Sequence, residues 1–549
     1  MGGDLLSSPN NFTFMKKILF LVLMLSTQIY TVAQNFEINW QQCFGGSETD
    51  KVFDIISSQG GYLINGWTAS DDGDISLNHG LSDGWLIKID SNGNIMWEKT
   101  YGGVQGDNFV RIFSNFNNEY YLLGASNSSE GDISFDPYPG TWDFWIVKID
   151  SSGNIIWDKI VGGNGDEVLW TGTLTDDGGI LAFGWTGSED GDISVYYGLY
   201  DMWMVKLNSE GEKEWDFTIG TSGFDIGQAI IQTSDGGYLA GGSSMIGEGG
   251  NLSCIPHSWK ADAILVKLDS LRNIEWNRCY GGSDYDGVYG IIETENGYVF
   301  SAYTDSNDGD VSGWHGGTDI WVVKIDLLGD ILWQNCFGGS NGEIAYNIFE
   351  VDDEGFVIYG ITGSFDGDIT GNHSLSEYEH DIWIIKLNSE GDLLWQQCIG
   401  GIGDERLDFG IIKKSDNNYV IAGQTDYGPS FDVECTPHAG VMNYPDFWVF
   451  EIQDTTTNII NKITKEKVIN VYPNPAQDYV IFEISSSIHP NGGKNVILIN
   501  DVFGQVVARL PIKNEKTVWD GGDVSSGTYF YWLQSGLNTI ERGKVLIIK

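Results

Sequence analysis

Short stretches of alternating apolar and polar residues recur along most of this chain, and they recur with a fixed period. Most copies open with an I-x-W strand pattern, and the opening tryptophans are spaced 57 to 62 residues apart. The seven opening residues are Trp40, Trp97, Trp157, Trp215, Trp276, Trp333 and Trp395. A period of this size is typical of propellers and other repeat architectures, in which one supersecondary unit is copied.

A second motif, D-x-W, keeps the same spacing. Its aspartates are Asp83, Asp143, Asp201, Asp262, Asp319, Asp381 and Asp446, and the aromatic residue is replaced by Ile264 in the fourth copy. Within one copy, runs near residues 95–99, 110–113, 120–124 and 144–149 alternate with the period of two that indicates strands. Glycine pairs before the third run supply tight hairpin turns. Four antiparallel strands per copy predict an all-β fold built from propeller blades.

The phase of the repeat predicts how the array ends. The series starts with the strand Ile38–Trp40, which lacks a preceding D-x-W partner, and it finishes at Asp446–Trp448, which lacks a following I-x-W strand. Each end therefore carries the piece that the other end lacks. Pairing the two would remove the last open sheet edges. We predict a seven-bladed β-propeller over residues 36–453, closed by the N-terminal strand.

After residue 453 the repeat stops, and a polar linker over 454–467 leads to a smaller unit. Residues 468–549 show short alternating strands with a Y-P-N-P opening at Tyr472, a D-x-x-G turn at Asp501, an S-S-G-x-Y strand ending at Tyr529 and a final K-V-x-x-x-K. This pattern predicts a small Ig-like β-sandwich.

Two family resemblances follow from these motifs. The repeats resemble the secreted bacterial β-propeller repeats of the SBBP type, in their G-G-S-x-x-D, D-G-G-Y and D-x-W-x-x-K elements. The module at 468–549 resembles the type A C-terminal sorting domain of the type IX secretion system. That second resemblance implies the secretion machinery as a partner, export across the outer membrane, and a secreted or cell-surface location.

The N-terminal segment has the composition of a secretory signal. Met15 is followed by two lysines, an apolar run over 18–25 and a small-residue exit ending at Ala33. We therefore predict that residues 1–33 comprise upstream residues and a signal peptide whose translation starts at Met15. The apolar run is too short to span a bilayer, so no transmembrane segment is expected in the mature chain.

Charge narrows the class of partner. The chain has 77 acidic and 29 basic residues, for a net charge of −48. Such a surface repels nucleic acid phosphates and attracts cations, so no nucleic acid partner is expected.

Acidic D-G-D-I-S loops recur in five copies and are the candidate metal sites. Carboxylates closely spaced around a glycine can surround calcium, although the spacing is not that of an EF-hand. The alternative is a turn whose aspartates bond their own backbone. The candidate calcium ligands, as the one possible cofactor site, are Asp72, Asp74, Asp132, Asp190, Asp192, Asp308, Asp310, Asp366 and Asp368.

Three further sets of residues bear on function. Tryptophans outside the repeat landmarks are candidate ligand contacts, chiefly Trp67, Trp185, Trp259 and Trp314. Cysteines at one repeat position are predicted to be buried free thiols: Cys43, Cys279, Cys336 and Cys398. Copies four and seven replace the acidic loop with C-x-P-H insertions at Cys254 and Cys435, which could form a bridge or a metal site. Histidines at a shared loop position (His79, His315 and His373) suit either a metal or a plain surface role.

No motif for a nucleophile, a phosphate loop or a dinucleotide site occurs in a suitable context, so no catalytic residue is assigned. The sequence favours a secreted, non-enzymatic propeller that binds a glycan or protein. Two alternatives stay open: a carbohydrate-active lyase or hydrolase with paired carboxylates in its pocket, and a structural matrix protein with calcium-stiffened loops.

Overall fold

Every regular element in the described part of the chain is a β-strand, which confirms the all-β prediction. The computed structural model describes residues 36–454, except 116, 246, 352–354, 416–417 and 439–443. It further describes residues 469–472, 476–477, 479–484, 495–500, 506–512, 516–522, 524–535 and 538–549. The predicted signal peptide and all but the first residue of the predicted linker lie outside these residues. The chain divides into two compact units, which separate between residues 455 and 456.

Over its described residues, the first unit contains seven four-stranded antiparallel sheets, and in six of them the strands are consecutive in the chain. Sheet 1 has β2 (Asp50–Ser58), β3 (Gly61–Thr68), β4 (Asp83–Asp90) and β5 (Ile95–Tyr101). Sheet 2 has β6 (Asp107–Ser114), β7 (Tyr120–Ser126), β8 (Asp143–Ile149) and β9 (Ile155–Val161). Sheet 3 has β10 (Glu167–Leu174), β11 (Ile180–Thr186), β12 (Asp201–Leu207) and β13 (Lys213–Ile219).

The remaining sheets continue the series. Sheet 4 has β14 (Asp225–Gln232), β15 (Tyr238–Ser244), β16 (Asp262–Leu268) and β17 (Ile274–Tyr280). Sheet 5 has β18 (Asp286–Thr294), β19 (Gly297–Thr304), β20 (Asp319–Ile325) and β21 (Ile331–Phe337). Sheet 6 has β22 (Glu343–Glu350), β23 (Phe356–Thr362), β24 (Asp381–Leu387) and β25 (Leu393–Ile399). Sheet 7 has β26 (Ile411–Ser415), β27 (Asn418–Thr425), β28 (Asp446–Asp454) and β1 (Phe36–Phe44).

The outer strand of sheet 7 comes from the N-terminal end of the unit. Strand β1 pairs antiparallel with β28, and Trp40 lies opposite Glu451. The indole Nε1 of Trp40 donates a hydrogen bond to Glu451 Oε2 over 2.9 Å. Gln41 Oε1 accepts a 2.9 Å hydrogen bond from Trp448 Nε1. Side chains as well as backbone therefore join the two ends of the repeat array.

Hydrophobic clusters join each sheet to the next along the chain, and the D-x-W tryptophans lie in these clusters with no exposed surface. A further cluster joins sheet 6 to sheet 7. One more joins sheet 7 to sheet 1, where Trp85 packs against Phe447 with ring centroids 4.6 Å apart. Because both faces of each sheet are covered by neighbours, apolar residues occur on both sides of the strands, as in propeller-like folds.

The cysteine prediction was wrong for two of the four residues. Cys43 forms a disulfide with Cys435, and Cys279 forms one with Cys254, whereas Cys336 and Cys398 are free and buried. The physical reason is local, because each insertion folds over the strand of its own sheet. Gln41 Nε2 donates to Asp432 O, and Cys254 N donates to Asn277 Oδ1. The insertion cysteines consequently meet strand cysteines instead of each other.

The second unit contains two sheets whose inner faces share one core. One sheet has β29 (Ile469–Tyr472), β30 (Tyr479–Ile484) and β33 (Lys516–Asp520). The other has β31 (Asn495–Asn500), β32 (Val506–Pro511), β34 (Gly527–Ser535) and β35 (Asn538–Ile547). Phe482 and Trp519 from the first sheet pack with Tyr529 and Tyr531 from the second. This arrangement agrees with the predicted sandwich.

The Cys43–Cys435 bridge should contribute to the stability of the first unit, since it links residues 392 positions apart in the chain. Replacing both cysteines by serine should lower the free energy of unfolding by about 2–4 kcal/mol, mainly because the unfolded chain regains freedom. The measurement is denaturant unfolding of the secreted protein. Cys336→Ser is the control for loss of a thiol without loss of a bridge. Equal stability of the double variant and the wild type would contradict the prediction.

Candidate ligand-binding end of the repeat unit

All of the acidic loops emerge at one end of the sheets. In an antiparallel four-stranded sheet, the connection from the second to the third strand lies at the same end as the connection from the fourth strand to the next sheet. The first carries the D-G-D loops, and the second carries the G-G-S-x-x-D turns. We call this the acid-loop end.

Two carboxylates are buried where each pair of sheets meets at this end. One belongs to the D-x-W aspartate. Its neighbour begins the first strand of the next sheet or, in sheet 7, lies just before that strand, and sequence reasoning missed this second set. That second set is Asp50, Asp107, Glu167, Asp225, Asp286, Glu343 and Glu405, all with no exposed surface. A signal was present, since each lies four residues after the second residue of the Gly-Gly or Gly-Thr turn.

These strand-starting acids are acceptors for the turn before them. Gly46 N donates to Asp50 Oδ2 over 2.7 Å, and the same bond recurs in the other six sheets. A side-chain hydroxyl adds a second bond in most sheets, as Thr186 Oγ1 does to Glu167 Oε1. The buried charge is thus supported by fixed donors, which lowers the cost of its desolvation.

Each D-x-W aspartate is held through one oxygen only. Asp83 Oδ2 accepts from His79 N over 3.0 Å, but Oδ1 of all seven aspartates has no donor among the described residues. At five of the seven interfaces, this Oδ1 atom and an oxygen of the neighbouring acid both lie close to the first glycine of the turn. A Cβ placed on Gly102 would lie 2.8 Å from Asp83 Oδ1 and 2.7 Å from Asp107 Oδ2, so the turn requires glycine there.

Burial raises the pKa values of most of these acids. The pKa of Asp50 is raised to about 7 and that of Glu405 to about 8, chiefly by burial, and the neighbouring D-x-W aspartate adds a smaller increase. The pKa of Asp446 is raised to about 6 for the same reason. The pairs therefore hold protons at pH values where a surface carboxyl is ionised.

The acidic-loop residues predicted to bind calcium mostly accept hydrogen bonds from backbone N–H groups. The first loop aspartate bonds the turn of its own interface, with Ser47 N to Asp72 Oδ1 at 2.7 Å, and Asp190, Asp308 and Asp366 do the same. The second bonds the first glycine, with Gly45 N to Asp74 Oδ2 at 3.2 Å; the others in this position are Asp132, Asp192, Asp310 and Asp368. Over the described residues, no group of three or more His, Cys, Asp or Glu is arranged to hold a metal.

Copies four and seven lack the D-G-D motif, but other residues in them accept the same hydrogen bond from the first glycine of the turn. Asn251 accepts from Gly220 N in sheet 4, and Asp432 accepts from Gly400 N in sheet 7. The insertion histidines His257 and His438 likewise bond Asp262 and Asp446 through Nδ1. Those contacts match the ones that His79, His315 and His373 make with their own D-x-W aspartates, so each histidine serves a different interface.

The first strands of neighbouring sheets contact one another from sheet 1 through sheet 6, and the first strand of sheet 7 contacts that of sheet 1. In six of them, a β-bulge places one extra residue three positions after the buried acid. These residues and their counterpart in the seventh copy differ from sheet to sheet: Phe53, Val110, Trp170, Gln228, Tyr289, Tyr346 and Asp408.

Four of these residues, from sheets 3, 5, 6 and 7, form a cluster with two basic neighbours. Tyr289 lies 5.9 Å from Trp170 and 5.7 Å from Tyr346 between ring centroids. Burial raises the pKa of Asp408 to about 7, while Lys51 and Arg406 act to lower it. We call Trp170, Tyr289, Tyr346, Asp408, Lys51 and Arg406 the axial cluster.

The four predicted ligand tryptophans all lie at the acid-loop end, in different settings. Trp67 is paired with Lys51, whose ammonium lies 5.8 Å from its ring. Trp185 contacts Tyr200 with ring centroids 4.4 Å apart. Trp259 is 68% exposed, and Trp314 donates through Nε1 to Gly317 O over 3.0 Å. The structure does not bring the four together.

Comparison with known proteins identifies the second unit. Residues 470–549 match the secretion system C-terminal sorting domain. This domain directs export by the type IX system, so the protein engages that machinery and is secreted or displayed on the outer cell surface. Among the described residues, no helix is long and apolar enough to cross a membrane.

Solved structures similar to the chain are distant, and no curated protein sequence matches it. PorZ, a surface component of the type IX system of Porphyromonas gingivalis, is 10% identical with a TM-score of 0.34; the match covers 91% of this chain and 60% of PorZ. A DUF4221 family protein from Bacteroides vulgatus is 11% identical with a TM-score of 0.31, covering 77% of this chain and 99% of that one. Drosophila plexin A is 8% identical with a TM-score of 0.39, covering 76% and 88%.

The buried acids predict that stability falls as pH rises. Their pKa is higher in the folded protein than in the unfolded chain, so the folded state binds more protons between the two values, and stability is lost from about pH 4 to about pH 8. The measurement is denaturant unfolding against pH at constant ionic strength.

The variant Asp83→Asn tests which carboxyls are responsible, because an amide at this position cannot ionise. Its stability should depend less steeply on pH than that of the wild type, with the difference largest near pH 8. Asp90→Asn, at an exposed turn of the same sheet, is the matched control. A pH dependence of Asp83→Asn parallel to that of the wild type would show that the buried pairs are not its source.

Proposed function

We propose that this protein is a secreted or surface-displayed, non-enzymatic β-propeller that binds a glycan or protein ligand at its acid-loop end. In this proposal the seven sheets are the blades of one closed ring, with β1 completing the last blade. The pairing of β1 with β28 and the core shared by sheets 7 and 1 support it. The sorting domain supplies the route out of the cell.

One observation carries the proposal of binding. The repeated acidic residues at this end are bonded to backbone groups that maintain the turns, whereas the residues that differ between copies concentrate at the axial cluster and around Trp67 and Trp185. The fold requires the repeated acidic residues in every copy, because they hold the turns. Residues that vary at fixed positions of a repeat are free to be selected for a ligand.

The test is a binding screen with the secreted full-length protein against polysaccharides and extracellular proteins. We expect saturable binding to at least one member, weakened at least tenfold by Trp185→Ala. Phe365→Ala, an exposed aromatic in an acidic loop of sheet 6, is the matched control and should bind like the wild type. Absence of binding to every member would count against the proposal.

A carbohydrate-active enzyme is the second candidate, because of one residue. Asp408 lies among aromatic rings, and its pKa of about 7 suits a general acid or base. The binding proposal expects no turnover of any polysaccharide that binds. Release of new reducing or unsaturated ends that Asp408→Asn abolishes, while binding is retained, would instead establish the enzyme.

Calcium at the acidic loops stays a prediction, and with it the structural matrix role. A calcium ion would have to share aspartates such as Asp72 with the N–H groups that they accept, which favours weak binding. If the loops bind calcium, millimolar calcium should raise the melting temperature and a chelator should reverse the rise. Asp72→Asn should reduce the effect. An unchanged melting temperature would remove calcium from the proposal.

A further inference from the structure

Three aromatic side chains form a surface at the acid-loop end of one sheet, sheet 3. Trp185, Tyr200 and Phe224 follow one another, with ring centroids 4.4 Å and 5.4 Å apart. We call these three residues the aromatic track. Resting on the proposed binding function, we propose that the aromatic track is the binding site for an uncharged glycan chain.

The repeat architecture does not require these rings. The three positions of the track hold Trp67, Ser82 and Gly106 in sheet 1, and Tyr303, Thr318 and Gly342 in sheet 5. The backbone bridge between the second and third positions is present in all three cases. Since small residues preserve the bridge, the aromatic side chains of sheet 3 are not needed to form it.

The track is accessible at one end and rigid at its base. Phe224 is 37% exposed, and the adjacent Leu199 is 55% exposed. Tyr200 O accepts from Asp225 N over 2.8 Å, and Phe224 O accepts from Met245 N over 2.9 Å. Aromatic rings held on a fixed backbone lose little conformational freedom when they bind, which favours affinity.

Successive rings are tilted by 54° and 50°, so they form facets that turn instead of one flat plane. An extended ligand can stack on such facets one unit at a time, as a polymer of sugar rings can. The apolar faces of the units would meet the rings, and their hydroxyl groups would point outward toward polar neighbours.

Charge selects against an acidic ligand. Asp166 and Asp190 lie exposed beside the sheet 3 loops, in a chain with a net charge of −48, so polyuronates and sulfated glycans are repelled. Asp190 accepts from Asn164 N and Nδ2, and Asp201 Oδ2 accepts from Tyr197 N and Gly198 N. Carboxylate oxygens can also accept hydrogen bonds from the hydroxyl groups of a neutral glycan.

The experiment measures the affinity of the full-length secreted protein for a panel of neutral polysaccharides, comprising glucans, mannans, galactans and xylans, and for polyuronates and sulfated glycans. We expect a neutral polysaccharide to bind with an affinity that changes less than twofold between low and physiological salt. The polyanions should bind at least tenfold more weakly or not at all.

Each variant introduces the residue that another copy of the repeat has at the equivalent position. Tyr200→Thr follows Thr318 of sheet 5, and Phe224→Thr follows Thr49 before sheet 1, so both should fold. Each should weaken the neutral glycan at least tenfold. Tyr378→Ala, an aromatic that is 79% exposed in a sheet 6 loop of the same end, is the control and should leave binding unchanged.

The outcomes separate this inference from the function on which it rests. Neutral glycan binding that survives both threonine variants overturns the aromatic track as the site, but leaves glycan binding in place. Binding only to polyanions or only to proteins overturns the ligand class, but leaves a binding protein. No binding to any polysaccharide or protein overturns both.

Discussion

The antiparallel pairing of β1 with β28 is the constraint on which the first unit depends. Without it, sheet 7 would have three strands and an exposed edge of unpaired backbone groups at β28. The pairing also brings Phe44 into the core between sheets 7 and 1 and sets Cys43 beside the loop that carries Cys435. One strand pairing thus couples the first residues of the repeat array to the last, so that neither end can open without breaking contacts of the other.

The second constraint is that acids are buried between the sheets. The chain is strongly acidic, yet fourteen of its carboxyls lie at the sheet interfaces and serve the turns instead of the surface. Gly102 shows the mutual fit, because a side chain there would collide with Asp83 and Asp107. The same geometry leaves Oδ1 of Asp83 without a donor and favours the protonated state. The net negative charge of the composition is therefore larger than the charge carried at the surface.

The repeat pattern in the sequence predicted the order of the strands better than the residue types predicted the disulfides and the candidate site. The phase of the I-x-W and D-x-W motifs predicted the pairing of Trp40 with the strand of Trp448, because strand order follows from which element is missing at each end. It did not predict the bridge between Cys43 and Cys435, which depends on how an insertion folds back over its own sheet. The axial cluster could not be predicted either. Its aromatic residues lie on bulges, and a bulge shifts side-chain direction without any fixed sequence signal.

A residue that departs from the repeat can be interpreted only after asking whether a neighbouring residue has changed with it. Three of the lysines near the end of the D-x-W strands bond a turn acid, as Lys267 does to Asp235 over 2.8 Å, and Glu451 takes this position in the last copy. In that copy the strand residue is acidic and its partner is basic, since Lys414 bonds Glu451 over 2.7 Å. A compensated departure preserves architecture. Tyr200 contacts Trp185 and Phe224, whereas sheets 1 and 5 form the same backbone bridge with small residues, so these rings compensate for no change in the bridge. Uncompensated departures of this kind are where a repeat protein can acquire a function of its own.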